Sequence, residues 1–484
     1  MKIQSRQRDM KNCNYLLGLD LGTSNIKGVV ISGCGEIIAL GKTPVPYDKE
    51  NNSIVEFDAV EFYELVVETI KKTIKDLENP GCIKAISMVS ASGNTVLLNE
   101  NMNPMRKALS WTDRRFTDEA DIVLEKPDYM ALYDKIGWPY HNSFPLAHLS
   151  WLKLNEPEKL KAAHKVCMVT DYVNYRLSGK LATNPSTATT FYLMDQKQSQ
   201  WSEEIIEKMG INSKSLPKII KSGEIIGYVT DKAAENTGLN QGTPVVAGSF
   251  DHPGAARGTG ILKEGDLLLS CGTSWVGFYP VKSRKKIYNQ EMLIDPFMQG
   301  KGCWGGMFSL PSISGHIDKL IKKWISDTGY IYDEFNRLAT KAQLGAEGLK
   351  INPMTDSDKD FSCYSCKNIA RAVMEGTAFL MKEKIRHFAI NGITAKRIVM
   401  VGGPTQSKIW PQIVCDIIGI GIDVVYSDNA GAVGAAVMAG IGIGIYNDEN
   451  DAWDRRMPEI VQFHPDARMT AEYKRLPGVV DGLV

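Results

Sequence analysis

The residues best suited to chemistry fall into a few short clusters. Asp20 stands just before Gly22-Thr23-Ser24 in YLLGLDLGTSNIKGVVI, and the same tripeptide returns as Gly272-Thr273-Ser274 in DLLLSCGTSWVGFYP. Glycine lets backbone approach a phosphate, and the successive N–H groups of a tight turn form an anion-binding concavity. Thr and Ser hydroxyls add donors without adding charge. The chain has no Gly, four residues, Gly-Lys-Ser/Thr run, so a Walker loop is excluded. A carboxylate at position 20 would repel phosphates unless a cation intervened. That assigns Asp20 to Mg²⁺ through water, because Mg²⁺ gives up its waters reluctantly; a turn-capping Asp is the alternative. Asp251 follows the apolar run TPVVAG. At a strand's C-terminal end it can accept the proton of an attacking alcohol, the base role in phosphoryl transfer; a capping or salt-bridged Asp is the alternative. Gly402-Gly403 would let a flat ring lie against backbone, or mark only a turn. Trp111, Asp113 and Arg115, in SWTDRR, offer an aromatic face and groups for hydroxyl-rich ligands, or a structural ion pair.

Those clusters need rigid elements to hold them. Tyr15 to Ile31 and Asp266 to Pro280 read as β-hairpins whose turns carry the Gly-Thr-Ser sequences. The turns lie 250 positions apart, each near the start of a half, which points to an internal duplication. Apolar spacing predicts helices over Asp58–Leu77, Leu146–Leu154, Thr170–Leu177, Arg371–Phe388, Trp410–Ile418 and Gly431–Gly440. Strands are predicted over IIALGKTPVP, Ile83–Val89, Arg397–Val401 and Ile422–Tyr426. PGAARGTG, from Pro253 to Gly260, has the composition of a hinge.

A chain of 484 residues is too long for one compact core. Lys plus Arg equals Asp plus Glu, at 56 each, so no global field draws nucleic acid or an anionic membrane. Any phosphate site must be built locally. The polar start, MKIQSRQRDMKNCNY, lacks the apolar core of a signal peptide, and the run from Ala430 to Tyr446 is short for a membrane span. A cytoplasmic protein is expected, with reduced thiols; Cys363 and Cys366 alone are weak evidence for zinc.

Taken in order, "GLDLGTSNIK", "SWTDRR", "FPLAHLSWL", "TDYVNYRLSGKLATNPSTAT", "GTPVVAGSFD", "SCGTS", "ARAVMEG" and "VGGPTQSKIWPQIVCDIIG" resemble the FGGY carbohydrate kinases from about Tyr15 to about Ile445. The resemblance implies a two-domain α/β fold of the actin, hexokinase and chaperone type (ribonuclease H-like), with ATP and sugar meeting in an interdomain cleft. It implies a sugar-binding domain over 12–253, a nucleotide-binding domain over 259–446 and a tail over 447–484. Asp20 matches the metal-associated Asp, Asp251 the catalytic base, and both Gly-Thr-Ser turns the phosphate loops. Gly402 and Gly403 match the adenine-side motif, whose third glycine is Pro404 here, and His252, Gly93 and Asn94 fall at sugar-contact positions.

Other departures bear on the substrate. The Gln-Met-His-Gly motif of xylulokinases and the Arg-Glu pair of glycerol kinases are replaced by Ala-Ser-Gly-Asn, and the family's Gly-Glu-Arg segment by INPMTDSDKDFSCYSC. The small residue at 93 leaves room for bulk, so a ketopentose, branched ones included, is the expected substrate, against gluconate, a polyol or a hexulose. Asp251 would then act as base for the sugar hydroxyl while MgATP supplies the phosphoryl group. A sugar sensor without catalysis and an ATP-driven chaperone on the same fold are the rivals from other classes. A homodimer is compatible with the sequence and not required by it.

Overall fold

The computed structural model describes residues 14–46, 54–298, 302–325, 331–425, 428–456 and 458–476. Residues 1–13 of the polar N-terminal stretch, and Tyr426 of the strand expected over 422–426, lie outside the described residues. In chain order the elements that matter are β1 (Tyr15–Leu21), β2 (Asn25–Ser32), β3 (Ile37–Pro44), α1 (Ala59–Ile74), β4 (Ile83–Ser90), α2 (Pro145–Asn155), α3 (Val169–Ser178), β5 (Ile225–Tyr228), β6 (Pro244–Phe250) and α4 (Asp251–Thr259). They continue with β7 (Asp266–Cys271), β8 (Trp275–Val281), β9 (Trp304–Leu310), α5 (Ile313–Trp324), α6 (Cys366–Ile390), β10 (Arg397–Gly402), α7 (Trp410–Ile418), β11 (Ile422–Val424), α8 (Ala430–Gly442), α9 (Glu449–Arg456), β12 (Val461–Phe463) and α10 (Ala467–Arg475). Both Gly-Thr-Ser sequences are hairpin turns, between β1 and β2 and between β7 and β8. Local chemistry sets many of the ends. Asp58 caps α1 by accepting from the Val60 and Glu61 amides, and Gly179, at φ 70°, closes α3 as the sequence predicts.

The duplication is written into the strand order. In the first sheet the order is β5-β6-β4-β1-β2-β3, with β1-β2 and β2-β3 antiparallel, β1-β4 and β4-β6 parallel, and β6-β5 antiparallel. In the second sheet, six of the seven strands, in the order β12-β11-β10-β7-β8-β9, repeat that pattern direction for direction. Strands β1 and β7 are buried along nearly their whole length, as expected of sheet centres covered on both faces.

The chain forms two compact units, and the division is not the linear one expected. One unit holds the described residues of Met1–Gly260, Glu291–Gln299 and Asn429–Pro458; the other holds those of Ile261–Gln290, Gly300–Asp428 and Glu459–Val484. Helix α8, expected in the C-terminal domain, therefore packs in the first unit. Of the expected tail, α9 joins the first unit, while β12 and α10 join the second.

The stretch read as a hinge is a helix. Pro253 to Thr259 form most of α4, and Gly260, at φ 70°, ends it. Its glycines serve close approach, not flexibility. A Cβ on Gly258 would stand 2.1 Å from the Ala430 carbonyl oxygen, and one on Gly434 of α8 would stand 1.8 Å from the Gly254 carbonyl oxygen. Helices α4 and α8 thus meet backbone to backbone. On its other side α8 meets β1, where a Cβ on Gly18 would lie 1.9 Å from the Ala432 carbonyl oxygen. The run of small residues from Ala430 is explained by these contacts; among the described residues no helix is long and apolar enough to cross a membrane.

Gly434→Val should therefore destabilise the protein by about 1–3 kcal/mol or more, since neither neighbouring backbone can yield cheaply. Gly315→Ala in α5, where a Cβ would meet nothing within 4 Å, should be neutral or stabilising by about 0.5–1 kcal/mol. Denaturant midpoints of the two variants check the contrast.

Candidate active site

In the first unit the fold brings Asp20, the first Gly-Thr-Ser turn, Trp111, Gly93, His252 and Asp251 into one connected region. Asp20 lies near the end of β1, opposite Lys27 of β2 and beside Val89 of β4. Side chains alternate along a strand, so Asp20 shares the face of Gly18, which α8 covers. The helix leaves room for it by a glycine: a Cβ on Gly431 would stand 2.7 Å from Asp20 Oδ2. Burial, and then the charge of Asp251, push the Asp20 carboxyl up to about 7, while Lys27 opposes them.

Asp251 is the first residue of α4, carried there by β6. Its Oδ1 accepts from the His252 amide at 2.7 Å and lies 3.8 Å from His252 Nε2. Its side chain keeps 26% exposure, so it remains open to a ligand. Burial raises its pKa above the ordinary carboxylate value, and the neighbouring His252 opposes that rise.

An aromatic chain of contacts joins the Asp251 end to the turn. The His252 ring meets Phe250 edge-on at 5.5 Å; Phe250 meets Trp138 at 5.6 Å, and Trp138 meets Phe144 at 5.4 Å. Phe144 covers Gly93: a Cβ there would lie 2.6 Å from the phenyl ring and 3.3 Å from Trp111 Cβ. Trp111 Nε1 in turn donates to Thr23 Oγ1 at 3.4 Å. The room expected over position 93 is thus taken by Phe144, a residue 51 positions away in sequence. Gly93 itself sits at φ 94°, a conformation that disfavours any larger residue.

The remaining predicted residues of this unit are engaged by the protein. Asp113 is fully buried; it accepts from the Val55 amide at 2.9 Å and from Arg115 NH2 at 2.7 Å. Arg115 also bonds Glu56 at 2.7 Å and lies over the Trp151 ring of α2 at 5.3 Å. The pair locks the loop that presents Trp111, which is the ion-pair alternative of the sequence reading. Asn94 Oδ1 accepts from the Val169 amide at 2.6 Å and so tethers the start of α3.

In the second unit, register places Gly402 of β10 beside Cys271, one residue before the Gly272-Thr273-Ser274 turn. Gly402 has φ 103°, and a Cβ there would strike the Cys271 carbonyl oxygen at 2.3 Å. Gly403 has open space where a Cβ would go, and it begins a short 3-10 helix, Gly403–Gln406. Two residues the sequence reading missed pin the Gly272-Thr273-Ser274 turn: Ser312 donates its amide to Ser274 Oγ at 2.9 Å, and Ser314 Oγ donates to the Gly272 carbonyl at 2.6 Å. Gly272 and Thr273 remain exposed. In the first unit, Gly431, Phe144 and a buried Asp295 were likewise missed. Each is brought in by chain far from the residue it meets, and Phe144, though it opens FPLAHLSWL, carries no local sign of its place over Gly93. Cys363 and Cys366 are both exposed and free of disulfides.

Comparison with known proteins bears on this arrangement. The chain is 26% identical over 447 residues to the xylulose kinase of Haemophilus influenzae, covering 87% of this chain and 90% of that protein. It is 26% identical over 484 residues to the xylulose kinase of Bacillus subtilis, covering 96% and 95% of the two chains. The solved structure of gluconate kinase from Lactobacillus acidophilus shares the fold, with a TM-score of 0.83 at 20% identity over 96% of each chain. Residues 15–258 match the N-terminal domain, and residues 351–443 the C-terminal domain, of the FGGY family of carbohydrate kinases. The chain belongs to that family and is an ATP-dependent carbohydrate kinase.

Proposed function

We propose that this kinase transfers the γ-phosphoryl group of ATP to a hydroxyl of an unbranched ketopentose, with Asp251 as the base. The observation that carries the reading is the position of Asp251. It stands at the strand-to-helix joint, partly exposed, with its charge acting on Asp20 and an aromatic chain leading from its neighbour to Trp111. Two kinds of support favour a pentulose. Two relatives matched over 87% and 96% of this chain are named xylulose kinases, and Phe144 fills the space beside Gly93 that added bulk on a sugar there would need.

Asp20 fits a magnesium ion. Its carboxyl is raised to about 7 by burial and by a like charge, a cost that a cation would remove. Among the described residues no group of three or more His, Cys, Asp or Glu gathers to hold a metal. An ion beside Asp20 would therefore keep waters and take phosphate oxygens as its other ligands. Bound MgATP supplies the phosphoryl group and neutralises its charge.

The protein's own groups do the rest. Free amides and hydroxyls of the Gly272-Thr273-Ser274 turn, whose Gly272 amide is held by the Ser274 carbonyl, and those of Gly22-Thr23-Ser24 donate to phosphate oxygens. Gly402 and Gly403 give the adenine a flat backbone surface. Trp111 and His252 orient the sugar, and Asp113 with Arg115 holds Trp111 in place. The ionised Asp251 accepts the hydroxyl proton at a carboxylate oxygen as that hydroxyl attacks. Excluding water as sugar and nucleotide meet limits wasteful hydrolysis.

A coupled assay of ADP release across pentuloses, hexuloses, polyols and aldonates tests the substrate; a pentulose should give the highest kcat/KM, and a better aldonate, polyol or hexulose overturns the assignment. Asp251→Asn should keep ATP affinity while kcat falls by about 10²- to 10⁴-fold. Only the ionised carboxylate accepts a proton, and burial raises its pKa. The rate kcat/KM should accordingly fall on acidification through a pKa above the ordinary Asp value of about 3.9. Full activity down to about pH 4 would contradict this.

A further inference from the structure

The segment of residues 291–298 belongs to the first unit, although the described chain before and after it belongs to the second. The first unit grips it through its backbone. Tyr133 donates its hydroxyl to the Met292 carbonyl at 2.7 Å, Trp138 Nε1 donates to the Ile294 carbonyl at 3.0 Å, and the Ile294 amide donates to the Gly137 carbonyl at 2.8 Å. This grip carries one carboxylate, Asp295, into a wholly buried position. Its Oδ2 accepts from Ser186 Oγ at 2.6 Å, and Ser186 Oγ accepts in turn from the Phe250 amide at 3.0 Å. Phe250 is the last residue of β6 and immediately precedes Asp251. The second carboxylate oxygen, Oδ1, has no hydrogen-bond partner.

Arg257 ties the same segment to the base's own helix. It lies within α4, donates to the Phe297 carbonyl, and stacks over the Phe297 ring at 4.5 Å. Its charge, together with the Ser186 hydrogen bond, favours the ionised Asp295, while burial and Asp251 oppose it. Taking a carboxylate out of water to receive a single serine hydroxyl is a poor way to stabilise a fold. It is an effective way to fix one amide, because the hydroxyl must give its proton to Asp295 and keep its lone pairs for Phe250 N–H.

We propose that Asp295 is a positioning residue for the phosphoryl-transfer base: through Ser186 Oγ it fixes the Phe250 amide, and with it the joint from which Asp251 projects. The proposal rests on Asp251 being that base. A displacement of reacting groups by about 1 Å costs on the order of 10²-fold in rate, so the joint needs such a clamp. Asp295 acts here through its acceptor oxygen, which an Asn also offers.

The test compares Ser186→Ala, Asp295→Ala, Asp295→Asn and the double Ala variant, in the full chain, with Asp251→Asn as reference. Ser186→Ala and Asp295→Ala should each lower kcat by about 10- to 100-fold while the KM values for sugar and ATP stay within about twofold. The double variant should be no worse than either single one, because both break one chain of hydrogen bonds. Asp295→Asn should keep kcat within about threefold of wild type. Should Asp295→Ala fail to fold, Ser186→Ala decides alone, with its thermal midpoint measured alongside. Wild-type kcat in Ser186→Ala, additive losses, an Asn variant as slow as the Ala one, or losses that vanish when the assay is cooled below the unfolding range would each overturn the proposal. Wild-type kcat in Asp251→Asn would instead remove the base itself, an outcome distinct from all of these.

Discussion

Helices α4 and α8 touch through their main chains, and the first unit's chemistry depends on that contact. Glycines at 258 and 434 allow it, because a Cβ on either would fall inside the van der Waals shell of the other helix's backbone. The contact sets the height of α4 above the sheet, and α4 begins with Asp251. It sets α8 against β1 as well, and β1 carries Asp20 under Gly431. Two carboxylates contributed by chain more than two hundred residues apart are therefore positioned by one packing arrangement. Larger side chains at these points would gain apolar burial, yet would push the helices apart and move both acids. The glycines are kept at an entropic cost to the unfolded-to-folded balance, and the return is placement.

That placement is electrostatically unfavourable in the free protein. Asp20 feels both burial and the charge of Asp251, and Asp295 feels both as well. Like charges gathered in a poorly solvated region are typical of sites whose business is a ligand carrying the compensating charge or proton. In a kinase both are at hand: a cation arrives with the nucleotide, and a proton arrives with the accepting hydroxyl. Under the proposed roles, the unfavourable field favours a cation beside Asp20 and proton uptake by Asp251.

Much of this was legible in the sequence, and the misses have physical causes. Hairpins, helices and the duplication could be read because their signals are local: alternation, apolar residues three and four apart, a closing Gly179, a repeated turn. Asp20 was placed before the first turn for the same reason. PGAARGTG misled because composition does not distinguish glycine used for freedom from glycine used for contact; only its partner helix, some 170 residues later, decides. The space over Gly93 misled in the same way, since nothing near it announces Phe144. Asp113 and Arg115 showed the right types for a ligand, but the three-dimensional partners Val55 and Glu56 use them for structure. Asp295 had no local signal at all, because its importance comes from Ser186 and Phe250, each held by a different part of the chain.

The most direct test of the account is a crystal structure of the chain with a ketopentose and a non-hydrolysable ATP analogue. An Asp251 carboxylate oxygen should lie within about 3.2 Å of the sugar hydroxyl that faces the γ-phosphate. A hydroxyl held at that phosphate by other groups, with Asp251 turned away from it, would contradict the account.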